Sequence, residues 1–291
     1  MFLHLIMSYE FWFMFPVSIL VATIAMASGI GGAIFFSPIF MLVLKLDPAV
    51  AVGTALITEL FGFSSGVYAY RKARLIDYRL GKSLLAFSVP TAIVGAFMTQ
   101  FIPAVALKAI FATGIIFIGS QIFMSWRKEE KEKNAGITDH VGAEDYDTEI
   151  VDSSGKVYHY KICNKNQGRM FAGVGGFFVG MISVGLGELT EFHLLSRCRL
   201  PAPVTVATAV FITVITVLIA SLGHFYEFAF KSPPEVLTQV KSIVIFTIPG
   251  VLIGGQIGPR VQKILPEDYT KVGLSILFVF VGALMIFTLT Q

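Results

Sequence analysis

FSVPTAIVG at residues 87–95 returns as FTIPGVLIG at 246–254, with Pro90 over Pro249 and Gly95 over Gly254. Other matches keep the same order along the chain. VGTA at 52–55 pairs with VATA at 206–209, Gly29-Ile30-Gly31 with Gly185-Leu186-Gly187, and Lys108 and Gly119 with Lys271 and Gly282. The offset drifts only from 154 to 163 residues, which marks an internal duplication of the whole apolar part rather than one recurring motif.

Composition sets the solvent in which that duplication folds. Of 291 residues, 55% are hydrophobic and 14% charged, with a mean hydropathy of +0.76. A water-soluble chain carries about 25% charged residues, so the sequence reads as a polytopic membrane protein. Runs such as FWFMFPVSILVATIAMAS (11–28), LKAIFATGIIFIGSQIFM (107–124) and KVGLSILFVFVGALMIFTL (271–289) approach the ~20 apolar residues that cross a ~30 Å hydrocarbon core. The first ten residues hold no Lys or Arg, so no signal-peptide cleavage is expected.

Pro and Gly punctuation divides the chain into ten segments, at about 10–28, 30–46, 48–70, 81–101, 104–124, 169–186, 187–200, 202–229, 236–258 and 269–290. The second and seventh are short enough to be half-membrane pieces. Lys and Arg arbitrate, because cytoplasmic loops are enriched in them. Ten crossings with the 71–82 loop inside place eighteen basic residues on the cytoplasmic side and four outside; eight crossings give fifteen and seven. Ten crossings are therefore expected, with both termini outside.

Five segments per half is an odd number, so the second repeat must run through the membrane in the opposite sense. The expected fold is all-α and polytopic, with two inverted repeats of five transmembrane or half-membrane segments and glycine-broken helices. That plan is common among secondary transporters, where it gives two related conformations around one central site. Residues 1–124 form the first repeat, 169–291 the second. Between them 125–168 is a polar linker, expected on the cytoplasmic side of a prokaryotic plasma membrane. Its start, WRKEEKEK, continues the preceding helix, and TEIVDSSGKVYHYKI reads as two short strands around an SSG turn.

In both halves a span runs into a glycine-rich break, SGIGGAIFFSP at 28–38 and SVGLGEL at 183–189. A helix restarting after such a break offers free N–H groups and the positive end of its dipole. Irregular backbone at membrane depth survives only where protein or water satisfies it, so each break implies a cavity. The residues expected to face a small anion are Gly29, Gly31, Gly32, Ser37 and Thr54, with Gly185, Gly187, Thr190 and Thr208 from the second half. The repeat-equivalent Thr54 and Thr208 offer hydroxyls, although membrane threonines more often bond their own backbone.

The second break also carries acids. Glu188 and Glu191 are three residues apart and share a helical face; a carboxylate at depth usually has a partner or a function. Glu188, Glu191, His193 and Glu59 are the expected ion-coupling groups, binding H⁺ or Na⁺. Arg197 is badly spaced for a local ion pair with either acid. His224 and Glu227 are expected at an outer interface. Cys163 and Cys198 suggest neither a disulfide nor a metal site and read as incidental. No HExxH or Ser/His/Asp arrangement supports an enzyme, and no cofactor, metal or nucleic-acid partner is expected beside the lipid bilayer; a homo-oligomer stays open.

GIGGAIFFSP at 29–38 resembles the G-x-G-G-G-x4-P motif of the sulfite exporter TauE/SafE family of membrane permeases, with Ala33 replacing the last glycine. VGTA, the basic loop around LID at 75–77 and the Pro/Gly-bearing fourth span extend the resemblance over nearly the whole chain outside 125–168. It implies transport, often outward, of sulfite, sulfoacetate or another organosulfonate. The second half departs from the motif, with Glu188, Leu189 and Leu194 where another Gly-Gly and a proline belong. The alternatives are a cation or metal-ion transporter using the membrane carboxylates, and a passive ion channel.

Overall fold

The computed structural model describes residues 10–28, 32–134, 147–261, 264 and 267–289. Its helices are α1 (Met14–Ser28), α2 (Ala33–Pro38), α3 (Pro48–Lys72), α4 (Tyr78–Thr99) and α5 (Ala104–Asn134), then α6 (Lys165–Ile182), α7 (Leu186–Glu191), α8 (Ala202–Phe230), α9 (Pro234–Val261) and α10 (Glu267–Phe287). The short α2 and α7 each continue into a π-helical stretch, Ile39–Val43 and Phe192–Arg197. The chain is thus an all-α polytopic membrane protein. Among the described residues, α3, α4, α8, most of α5 (Ala104–Lys128) and most of α9 (Pro234–Gly258) are each long and apolar enough to span a bilayer.

Local chemistry starts these helices where they start. Asp47 accepts from the Ala49 N–H at 3.0 Å, with Pro48 supplying a preset φ at the first helical position of α3. Asp77 caps α4 through the Leu80 N–H at 2.9 Å, and Asn164 caps α6 through Gln167.

Packing follows the sequence duplication. If α1–α5 are exchanged with α6–α10 in order, the contact of α4 with α6 becomes that of α9 with α1, and α4 against α8 becomes α9 against α3; all four are present. The contacts α3–α8 and α5–α10 map onto themselves. The matched glycines sit in the matched contacts. A Cβ on Gly95 would collide with the Phe177 carbonyl oxygen of α6, and one on Gly254 would lie 2.6 Å from the Ile19 carbonyl oxygen of α1. Only a residue without a side chain allows such backbone approach. Matched hydroxyl pairs tie the same elements, Ser88 to Thr216 and Thr247 to Thr58, each at 2.9 Å.

Helices α3 and α8 form the centre, with 67% and 72% of their most apolar windows buried against 28% for α9. Phe36, Phe40, Phe111 and Phe278 are fully enclosed, and the Phe35 and Phe278 rings lie 5.3 Å apart. Outward-facing Phe97, Phe101 and Phe280 supply the apolar surface that a bilayer would cover.

The linker contains an antiparallel hairpin, β1 (Thr148–Val151) and β2 (Val157–Tyr160), with Thr148 opposite Tyr160. Asp152 closes its turn by accepting from the Ser154 hydroxyl and from the backbone N–H groups of Ser154 and Lys156. Those bonds, the Ser154 hydroxyl foremost, hold its carboxyl below the usual range. The hairpin clasps the α3–α4 connection. The Ser153 N–H donates to the Ala73 carbonyl at 2.9 Å, and the buried Tyr160 hydroxyl donates to Asp77 Oδ2 at 2.9 Å. Burial, reinforced by the Asp77 charge, pushes the Tyr160 phenol up.

Tyr160→Phe should therefore cost about 1 kcal/mol of hairpin docking, read as faster amide exchange across 148–160. Because the folded-state value is raised, the contribution is intact below about pH 10 and fades as pH rises through that raised value. Exchange that is unchanged in the variant would refute this.

One expectation needs correction. Cys163 and Cys198 are not incidental: they are disulfide-bonded, with Cα atoms 5.2 Å apart across 35 residues of chain. Docking of the β2–α6 connection against the end of the second π-helical stretch brings them together, and spacing alone does not encode that contact. His224, expected at an outer interface, is 3% exposed and donates from Nε2 to the Gly180 carbonyl at 3.0 Å where α8 meets α6.

Candidate functional site

The second break is built where the backbone leaves helical geometry. α6 ends at Ser183, which has φ 63°, and Gly185 follows with φ 119°, a value that strains any side-chain-bearing residue. α7 starts at once, and Glu188 reaches back so that its Oε2 accepts from the Gly185 N–H at 3.0 Å. This is half of a capping box, so the carboxylate satisfies an N–H at the helix start that would otherwise be open. In the first half, Gly29 and Gly31 lie outside the described residues. Gly32 is buried and caps α2, and a Cβ there would touch Glu59 Cγ at 3.9 Å.

The two breaks meet. Ser37 of α2 and Ser183 of the second break share a buried hydroxyl–hydroxyl bond of 2.8 Å, across 146 residues of chain. A cavity of about 180 Å³ is lined by Ser28 from the end of α1, by Glu188 and Glu191 from α7, and by Ser196. Gln121 and Ser125 of α5 and Lys271 of α10 complete its polar wall, with Phe117, Phe171 and Phe192 among the apolar lining.

Within this wall the charged groups differ. Glu188 is engaged by Gly185, whereas Glu191 is 7% exposed and its Oε1 has no hydrogen-bond partner among the described residues. A buried carboxylate oxygen without a donor is costly, which makes Glu191 the group best suited to take up a proton or meet an ion. Lys271 is the cation that sequence reading missed as a site residue. In the sequence it stands out only as the repeat counterpart of Lys108.

The remaining expected residues divide. Thr190 is buried, and its hydroxyl lacks a partner among the described residues. Thr54 donates to its own helix at Val50, 2.7 Å away, and Thr208 accepts from the Asp77 N–H at 3.0 Å, so both hydroxyls serve the backbone. Gly187 is buried within α7. Glu59 is 3% exposed in α3 and near Gly32. His193 is not part of the glutamate cavity; it stands beside Cys198 and lines a second cavity under the hairpin.

Known proteins give this architecture a context. The chain is 22% identical over 277 residues to the probable membrane transporter protein YunE of Bacillus subtilis (strain 168), covering 92% of this chain and 94% of that one. It is 24% identical over 254 residues to the probable membrane transporter protein YjnA of the same organism, covering 80% and 84%. No solved structure matches. The profile of the sulfite exporter TauE/SafE family matches residues 14–285, from the first residue of α1 to near the end of α10. A match of that extent, over a bundle of helices long and apolar enough to span a bilayer, places the chain in a family of transporters: it belongs to the sulfite exporter TauE/SafE family.

Proposed function

We propose that the chain is a secondary transporter that exports a small anion, with sulfite, sulfoacetate or another organosulfonate as cargo, coupled to H⁺ or Na⁺ through alternating access of two inverted repeats. The observation that carries this reading is the cavity shared by Ser28 of the first break and by Glu188 and Glu191 of the second, with Lys271 in its wall. Two carboxylates facing one ammonium repel an anion. Protonation of one carboxyl leaves a balanced site in which Lys271 attracts the anion and Gln121, Ser125 and Ser196 offer hydrogen-bond donors. Proton and anion binding then favour each other, and by linkage each raises the affinity for the other.

The duplicated packing supports two conformations related by exchange of the halves. The exchange of α4–α6 with α9–α1 means that closing one face and opening the other repacks equivalent surfaces. Direction follows the combined gradients of anion and coupling ion.

The test follows labelled sulfite and sulfoacetate in proteoliposomes under imposed pH and Na⁺ gradients. Saturable flux that responds to one gradient is expected, and exchange of neither anion under any gradient would overturn the proposal. The paired carboxylates favour one competing reading, cation transport. It predicts cation flux with no anion requirement, and Lys271 in the same wall argues against it.

A further inference from the structure

We propose that Cys163, His193 and Cys198, once the two cysteines are reduced, form a binding site for Zn²⁺ that ties the linker to the end of the second helix break. The site is separate from the glutamate cavity and does not depend on what the protein transports.

The geometry comes from three different elements. Cys163 lies in the connection between β2 and α6, while His193 and Cys198 are at the start and just past the end of the π-helical stretch Phe192–Arg197. One ligand atom from each falls within 4.8 Å of the others. His193 Nε2 is 3.5 Å from Cys198 Sγ. A tetrahedral zinc ion bonded at about 2.0 Å to imidazole nitrogen and about 2.3 Å to sulfur separates those two atoms by about 3.5 Å, and two sulfurs by about 3.8 Å. His193 and Cys198 therefore already stand at ligand separation, and Cys163 Sγ, within 4.8 Å of the imidazole, has to part from Cys198 and close on the ion.

His193 supplies an independent sign. It is 2% exposed, yet among the described residues the sulfur of Cys198 is the hydrogen-bond partner of Nε2 and Nδ1 has none. Burying an imidazole with so weak a partner is unfavourable; a metal bond at Nε2 removes that cost. Both cysteines are only partly buried, and Cys163 and His193 line a cavity of about 720 Å³, so an ion has a route in. Three protein ligands leave a fourth position for water.

The disulfide and the metal site exclude each other. Reduction adds two electrons and two protons to the sulfur pair, supplied by a dithiol that becomes its own disulfide. Zn²⁺ then displaces the two thiol protons. With the basic loops in the cytoplasm, this cluster faces a compartment where thiols are kept reduced.

The test uses the full chain purified in detergent and reduced under anaerobic conditions with a phosphine, which takes up the oxygen of water as its oxide. Competition with a chromophoric chelator should give one Zn²⁺ per chain, with affinity falling at least roughly a hundredfold in Cys163→Ser and Cys198→Ser. Oxidation with a diazenedicarboxamide, which accepts the two electrons and two protons, should abolish binding. Co²⁺ added to the reduced wild type should show thiolate charge-transfer and tetrahedral ligand-field bands, a readout that requires no variant to fold. Reduced wild type that binds no more Zn²⁺ than the double serine variant, or Co²⁺ without thiolate bands, would overturn the site.

Discussion

Glu191→Gln is expected to reduce pH-gradient-driven anion flux by at least about tenfold, the equivalent of roughly 1.4 kcal/mol in the limiting barrier. The substitution keeps the shape of the side chain and removes only its ability to change charge. Glu191 lines the cavity beside Glu188 and Lys271, and its Oε1 lacks a partner among the described residues. A fixed neutral amide there uncouples anion binding from proton uptake, because the site no longer exchanges one charge state for the other. Flux down an anion gradient alone should survive better than flux driven by pH.

Glu188→Gln provides the contrast. Glu188 already accepts from the Gly185 N–H, a bond that the glutamine carbonyl preserves. Its effect on coupling should be the smaller, and its effect on folding slight. The two variants, compared in proteoliposomes across several imposed pH differences, separate a carboxylate that titrates during transport from one that caps a helix. Wild-type flux from Glu191→Gln at every gradient would remove Glu191 from the coupling mechanism. Insertion and monodispersity should be unaffected, since replacing a buried acid by an amide lowers the cost of burial.

How much of this was legible without coordinates depends on the kind of information. The segments were, because a span needs a continuous apolar run and Pro or Gly to end it. The span expected at 202–229 is α8 (Ala202–Phe230), and that at 48–70 is α3 (Pro48–Lys72). The short second and seventh segments were visible for the same reason, although not their π-helical continuation, which depends on a hydrogen-bond register that residue types do not set. A contact between the two break regions was suggested by the repeat; the bond between Ser37 and Ser183 joins them, although these two serines are not matched repeat positions.

What stayed hidden was orientation about each helix axis. Glu191 and His193 are two residues apart and so point in different directions, one into the glutamate cavity and the other toward Cys198. Grouping them as one coupling set followed their proximity in sequence rather than in angle. Lys271 and the Cys163–Cys198 bond were hidden for a related reason: each depends on docking between elements far apart in the chain, to which hydropathy is blind.

Gly95→Ala and Gly254→Ala should each destabilise the protein by roughly 1–3 kcal/mol, lowering the apparent Tm in detergent by about 2–12 °C. At both positions the first obstacle to a new Cβ is a backbone carbonyl, Phe177 for Gly95 and Ile19 for Gly254. A side chain can rotate away from such a contact, but a helix must move as a body and take its other contacts with it. For Gly95 the Met181 nitrogen lies a further turn along α6 at 3.0 Å, and for Gly254 the Ala22 Cβ lies at 2.7 Å on α1, so neither neighbour leaves space for a shift along the axis. Gly273→Ala is the control, because nothing lies within 4 Å of a Cβ added there. Its gain in helix propensity, up to about 1 kcal/mol, should leave Tm unchanged or slightly raised. The matched glycines share no contact atoms, so their effects should add in the double variant. If Gly95→Ala proves as harmless as Gly273→Ala, close helix approach is not what holds α4 against α6, and the equivalence of the α4–α6 and α9–α1 interfaces would have to rest on side-chain packing instead.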